Sequence, residues 1–143
     1  MKALTIWQPW ADLVVRGIKH YETRSRPIRY RGKIAIHAAQ FHALPHEVYA
    51  EIAEAIGVQD YEKSWLRAAE QGSPVIPFGA IVGTAYLTDC FKTESIRDRL
   101  TARELALGDY SDGRYAWCLS APVLYEQPIP ARGKQGLWEY TDS

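Results

Sequence analysis

The sequence predicts an α+β domain built around a partly closed β-barrel. Six short segments carry strand patterning: 3–7, 21–25, 33–39, 79–88, 115–121 and 137–140. Helical spacing appears between them, over 9–18, 44–71 and 94–107. Pro and Gly punctuate most junctions and keep the segments short. About 5-6 short strands interrupted by peripheral helices fit a mixed, curling sheet better than a helical bundle or a sandwich. At 143 residues, the chain has the length of one domain, expected to span 1–143.

The elements follow in order. Ala3 to Trp7 is an apolar strand. Gln8-Pro9 then opens a helix, with Pro at a favourable first position. Trp10, Leu13, Val14 and Ile18 form its apolar stripe, and Gly17 stands where helices stop. Tyr21 to Ser25 is extended, so Glu22 and Arg24 share a face. Arg29 to Gly32 is a basic loop or edge strand. Lys33 to Ala39 is a strand with Ile34 and Ile36 on one face and His37 on the other.

Residues 44–71 read as a helical insertion of two helices. Pro45 starts the first and Gly57 ends it, while Val48, Ile52 and Ile56 form its stripe. Trp65, Leu66 and Ala69 mark the second. Both carry acidic residues, so they are expected to form an outer layer. The clearest strand is 79–88, rich in β-branched and small residues. Thr101-Ala-Arg-Glu104 fits a capping box within 94–107. Asp112-Gly113 is a turn before the 115–121 strand, and Pro122 to Pro130 is expected along an edge.

Composition removes several classes of protein. Hydrophobic residues make up 47%, an ordinary globular value that argues against disorder. No apolar run approaches the roughly 18 residues of a membrane span, and the N-terminus reads as the start of the fold and not as a signal peptide. Cys90 and Cys118 belong to no metal or redox pattern and are expected as buried thiols in a reducing cytoplasm. His37, His42 and His46 match no zinc spacing, so neither a metal nor another cofactor is expected.

Net charge is zero, yet it is unevenly spread. Residues 1–40 hold eight Lys or Arg against Asp12 and Glu22. The 41–80 stretch is acidic. A neutral chain with a basic third can present a local anion-attracting face.

The run Gly17-Ile-Lys-His-Tyr-Glu-Thr-Arg24 is the main candidate site. Glu22 and Arg24 share a strand face, and Lys19 at the preceding helix end can lie over it. Arg offers a two-pronged donor for phosphate or carboxylate, Lys a compact charge, and Glu an acceptor for a base amino group or a proton carrier. The plainer alternative is a salt-bridge cluster tying helix to strand. Trp7 and Trp138, beside polar residues, are the aromatics expected to be exposed for stacking. The loop 133–136 carries Lys134 and offers backbone amides to an anion, although a plain turn explains it equally. His37 can point into a polar cleft.

These stretches together resemble the ASCH domain family. The resemblance rests on Leu4-Thr-Ile-Trp-Gln-Pro-Trp10, the Gly17 to Arg24 run and Tyr30-Arg-Gly32 with Ile36-His-Ala-Ala39. Gly79-Ala-Ile-Val-Gly83 and Arg132-Gly-Lys-Gln-Gly-Leu-Trp138 complete it. It covers nearly the whole chain.

The resemblance implies a PUA-like barrel, a fold known for binding RNA, with a ligand cleft lined by Lys19, Glu22 and Arg24. Gln8 and Trp10 match the family's other frequent pattern. The full set of ligand candidates adds Trp7, Tyr30, His37, Lys134 and Trp138. The partner is then RNA, another nucleic acid or a modified nucleotide, with no membrane. Two enzymatic alternatives come with the family, and Lys19, Glu22 and Arg24 are the catalytic candidates if the chain is an enzyme. One is metal-independent ribonuclease action, with Lys19 or Arg24 stabilising phosphate and Glu22 or His37 moving protons. The other is hydrolysis of acylated cytidine, whose family Thr position is Glu22 here. A protein-interaction module is the third alternative.

Overall fold

The computed structural model describes residues 1–57, 60–72 and 76–141. Its strands are β1 (Lys2–Ile6), β2 (Tyr21–Arg24), β3 (Gly32–Ala38), β4 (Ala80–Lys92), β5 (Tyr115–Pro130) and β6 (Leu137–Glu139). They form one sheet in the order β2-β5-β4-β3-β1-β6. β1 and β3 run parallel and the other neighbours antiparallel, so the sheet is mixed.

The sheet curls because its long strands are bulged. Register shifts interrupt β3/β4 at Ile36/His37 and β4/β5 at three places. Each bulge bends its strand and increases twist. Curling brings edge strand β2 round to β1, four positions away in the sheet order. Arg24 Nη2 closes that gap by donating to the Thr5 carbonyl over 2.9 Å. The result is the half-barrel α+β fold the sequence predicts.

Helix α1 (Trp10–Val15) plugs the hollow of the curled sheet. Ala11, Val14 and Val15 pack with Leu4, Ile6, Ile34, Ile36, Val82 and Leu87 in the main core. Pro9 sits one residue before the helix, as its N-cap after a cis Gln8-Pro9 bond, and not inside the first turn. The Gln8 side chain caps the helix by accepting from Asp12 N at 3.0 Å. Gly17 ends it as expected. With φ +76, it lets Gly17 N reach Val14 O and Ile18 N reach Leu13 O, the paired bonds of a Schellman motif.

A second core lies where α2 (His46–Ile56) and α3 (Asp60–Gln71) cover Leu13 and Leu107. Tyr49, Ile52, Trp65, Leu66 and Ala69 supply its apolar faces. Helices α4 (Thr93–Ile96) and α5 (Ala102–Ala106), joined through a short 3-10 turn, bridge β4 to β5. β5 runs unbroken through the Pro-rich stretch. Only its opening residues, 115–118, pair with β2, so Pro122, Pro128 and Pro130 lie along an edge. Among the described residues, no helix is long and apolar enough to cross a membrane.

Candidate functional site

The Schellman motif sets the first candidate side chain. By folding the chain back at Gly17, it places Lys19 against the helix it has just left, where Lys19 N donates to Leu13 O at 3.1 Å. The Lys19 side chain is 2% exposed. Its Nζ donates to the Leu107 carbonyl at 2.8 Å and lies 3.9 Å from Glu22 Oε1. Burial pushes the Lys19 pKa below the usual lysine value, outweighing the opposing pull of Glu22 and Glu104.

Strand β2 sets the other two. Its pairing with β5 puts Glu22 opposite Trp117 and Arg24 opposite Tyr115, so both fall on one face. Glu22 Oε2 accepts from Arg24 Nη2 at 2.7 Å and from Nε at 3.1 Å. With the Thr5 bond, three of the five guanidinium N–H groups are engaged. The guanidinium carbon lies 5.8 Å from the Trp117 ring centroid, within cation–π reach. Lys19, Glu22 and Arg24 thus form an ammonium–carboxylate–guanidinium chain.

That chain lines a cavity of about 680 Å³, so the salt-bridge cluster and the cleft wall are the same residues. Trp7 and Trp10 share the wall. Trp7 is 50% exposed and lies 4.5 Å, ring to ring, from His42. The far wall is missing from the sequence reading. It comes from Val48, Glu51 and Ile52 of α2 and from Leu107, Gly108, Asp109 and Arg114. Helix α2 is therefore a wall of the cleft as well as an outer layer. Thr23 also reaches the cavity, and its hydroxyl accepts from Asp109 N at 3.1 Å.

A second carboxylate supports the site from below. Glu104 is 4% exposed, and its carboxylate accepts from His20 N and contacts His20 Nδ1 at 2.8 Å. Thr101 Oγ1 does accept from Glu104 N, so half of the capping box forms. The Glu104 side chain serves the Lys19–His20 corner instead of closing the box. The Thr-x-x-Glu pattern flagged this residue, but nothing local reveals its partner.

Five proposed ligand residues lie apart from this cavity's lining. Gln8 is buried, with its amide engaged by Pro77 O and Asp12 N. Tyr30 donates to Lys33 O and packs beside the main core. Trp138, expected exposed, is 8% exposed because β6 folds it over Ala3, Ala35 and Ile81. Its Nε1 donates to Thr5 Oγ1 at 3.0 Å. His37 and Lys134 line a neighbouring cavity. His37 is buried, as pairing with β1 places it beside Thr5. Thr5 Oγ1 donates to Nδ1 at 3.1 Å and Nε2 donates to Ala131 O at 2.7 Å, a set that fits the neutral ring. Burial drives its pKa below the usual histidine value. With both nitrogens engaged outside the cleft, His37 is badly placed to move a proton there.

Cys90 and Cys118 are free and half-buried, less covered than expected. Among the described residues, no group of three His, Cys, Asp or Glu side chains is placed to hold a metal ion.

A curled mixed sheet plugged by one helix, with a charged cleft where edge strand β2 meets β1, defines an α+β half-barrel domain. The chain belongs to the ASCH domain family, whose model matches residues 4–129. It is similar to activating signal cointegrator 1 from Homo sapiens and from Mus musculus, at 27% identity over 137 residues in each case. Those alignments cover 95% of this chain and 22% of each relative, so the chain spans about a fifth of their length. Among solved structures, ASCH from Zymomonas mobilis matches with a TM-score of 0.60 at 17% identity, covering 99% of this chain and 87% of that one. A mutant form of the same protein matches at 0.55, with 17% identity and coverage of 99% and 88%. At these identities the likeness is one of fold.

Proposed function

We propose that this chain is a binding module that holds RNA, or a modified nucleotide, in the cleft lined by Lys19, Glu22 and Arg24. The observation that carries the reading is the ion chain, with its lysine buried, on the wall of an accessible cavity. A lysine held 2% exposed beside a carboxylate is costly, and only part of its hydrogen-bonding capacity is spent on Leu107 O. The cavity volume falls in the range of small-molecule sites, about 300–1,000 Å³. Alternating donors and acceptors suit the hydrogen-bonding edge of a base, and Trp7 offers a stacking face at the rim. On this reading, residues 1–143 act as one ASCH domain, and the helical insertion 44–71 serves to close the cleft. Cytoplasmic residence fits the two free cysteines.

The test uses a short fluorescently labelled single-stranded RNA. Lys19→Met keeps the length of the side chain and removes the ammonium. Affinity is expected to fall about tenfold or more, the worth of one charged hydrogen bond. Unchanged RNA affinity in both Lys19→Met and Trp7→Ala overturns the reading.

A hydrolytic reading draws on the same lysine, whose pKa burial lowers, so that its ammonium gives up a proton more readily than an exposed one. Turnover of labelled RNA or of acylated cytidine in the presence of chelator, lost in Lys19→Met, supports it. Binding without turnover of either substrate removes it.

A further inference from the structure

Two cavities meet at Thr5. The residue's carbonyl accepts from Arg24 on the cleft side, while its hydroxyl bonds His37 on the other. Thr5 lines both spaces, and the second has a volume of about 570 Å³.

The two linings differ in charge. Among the described residues, the cleft sets Lys19, Arg24 and Arg114 against Glu22, Glu51 and Asp109, three cations and three carboxylates. It is close to neutral and offers little net attraction to a polyanion. Among the described residues, the second cavity sets Arg132 and Lys134 against no carboxylate, and its other polar groups include the amides of Gln40 and Gln135. Arg132 and Lys134 are exposed and take part in no ion pair among the described residues.

The loop bearing these cations is fixed at its base. Ala131 N donates to Gly79 O at 3.0 Å, and Ala131 O accepts from buried His37. Gly133 lies so close over the imidazole that a Cβ there would meet His37 Cε1 at 2.5 Å and Thr5 Oγ1 at 2.7 Å. Only glycine lets the loop seat at this depth, and that seating carries Arg132 and Lys134 to the mouth of the second cavity.

We propose that the Arg132–Gln135 loop is a phosphate-binding site for the nucleotide adjoining the one held in the cleft. This rests on the reading of the cleft as a nucleotide site and deepens it: the ligand is a single-stranded segment whose base is read in the neutral cleft. Its flanking backbone phosphate is held on the basic loop. The division matches chemistry to charge, since phosphates seek unpaired cations and bases seek mixed donors and acceptors.

The experiment measures affinity of the full chain for a short single-stranded RNA as a function of salt. Each phosphate contact on a single strand contributes about 0.7 to the slope of log K against log salt. The double variant Arg132→Ala/Lys134→Ala is therefore expected to lower the slope by about 1.4 and to weaken binding about 25-fold at ~0.1 M salt. A control double variant, Lys92→Ala/Arg103→Ala, removes exposed cations elsewhere and is expected to leave both unchanged.

Wild-type slope and affinity in the loop variant, with binding still weakened by Lys19→Met, overturn the loop assignment and leave the cleft reading standing. Equal effects from the loop and control variants also overturn it. A wild-type chain that binds no RNA removes both. Inorganic phosphate is the last arm. If it displaces RNA at matched phosphate concentration, the site takes free anions and the strand proposal fails.

Discussion

Glu22 is the keystone of the ion chain, and Glu22→Gln isolates its charge. The substitution keeps shape and one acceptor oxygen. The carboxylate is 12% exposed, accepts two bonds from Arg24 and lies 3.9 Å from the Lys19 ammonium. Each Arg24 bond falls from charge-assisted to neutral strength, a loss of about 1 kcal/mol apiece. The buried ammonium also loses its nearest countercharge, with only Glu104 left to favour its charged form. Arg24 is 30% exposed, so water returns part of this, leaving a net loss of about 2 kcal/mol. Unfolding entropy for 143 residues is about 0.3 kcal/mol per kelvin, which converts the loss into a fall of about 7 °C in Tm. Thermal unfolding followed by far-UV circular dichroism at neutral pH measures it. Because the pair lies under cover, about 1 M NaCl should lower the wild-type Tm far less than the substitution does. A variant melting within ~2 °C of wild type refutes the argument, since the carboxylate would then hold nothing together.

Two further outcomes test other parts of the structure. His37 is held neutral by burial, so its folded pKa lies below the unfolded value near 6.5. The unfolded chain then binds the extra proton first, and stability present above pH 6.5 is lost as pH falls through the folded pKa. The stability difference between wild type and His37→Gln should therefore shrink on acidification below that point; a constant difference in urea titrations would show that the ring titrates freely. Gly83 lies where β4 passes under α1, and a Cβ there would run into the Val123 carbonyl oxygen and lie 2.9 Å from Val15 Cγ1. Gly83→Ala should cost about 3 kcal/mol in urea unfolding with an unchanged m-value, and a loss under ~1 kcal/mol contradicts this close approach.

The parts of the fold written in local pattern were legible. Alternation and β-branching mark the strands, and Gly17 marks both the helix end and the reversal that buries Lys19. β5 reads as two pieces because Pro122 and Pro128 look like strand breakers. They are tolerated since that half of the strand has one neighbour. Within the site, strand alternation alone puts Glu22 and Arg24 together. The partners that define their chemistry do not show in the sequence. Arg24 meets Thr5 O from 19 residues away, Lys19 meets Leu107 O from 88, and His20 meets Glu104 from 84. Two of these acceptors are backbone carbonyls, which every residue carries and no motif can flag. Trp138 fails for a related reason: a polar neighbour in sequence says nothing of the sheet that β6 folds it onto.

Charge shows most clearly what folding adds. In sequence, the basic first forty residues and the acidic next forty look like separate surfaces, and a cationic cleft is the natural expectation. In the fold, α2 is drawn over the cleft by Tyr49 and Ile52, which pack on Leu13 and Leu107. The same packing carries Glu51 into the wall opposite Lys19 and Arg24. Apolar burial thus decides where the acidic segment goes, and neutralisation of the cleft follows from it. A cleft so balanced gains little from a phosphate and more from a group with both donors and acceptors. On the strand proposal, the attracting charge acts from outside the Gly17 to Arg24 run, and Arg132 and Lys134 line the neighbouring cavity with no carboxylate beside them among the described residues.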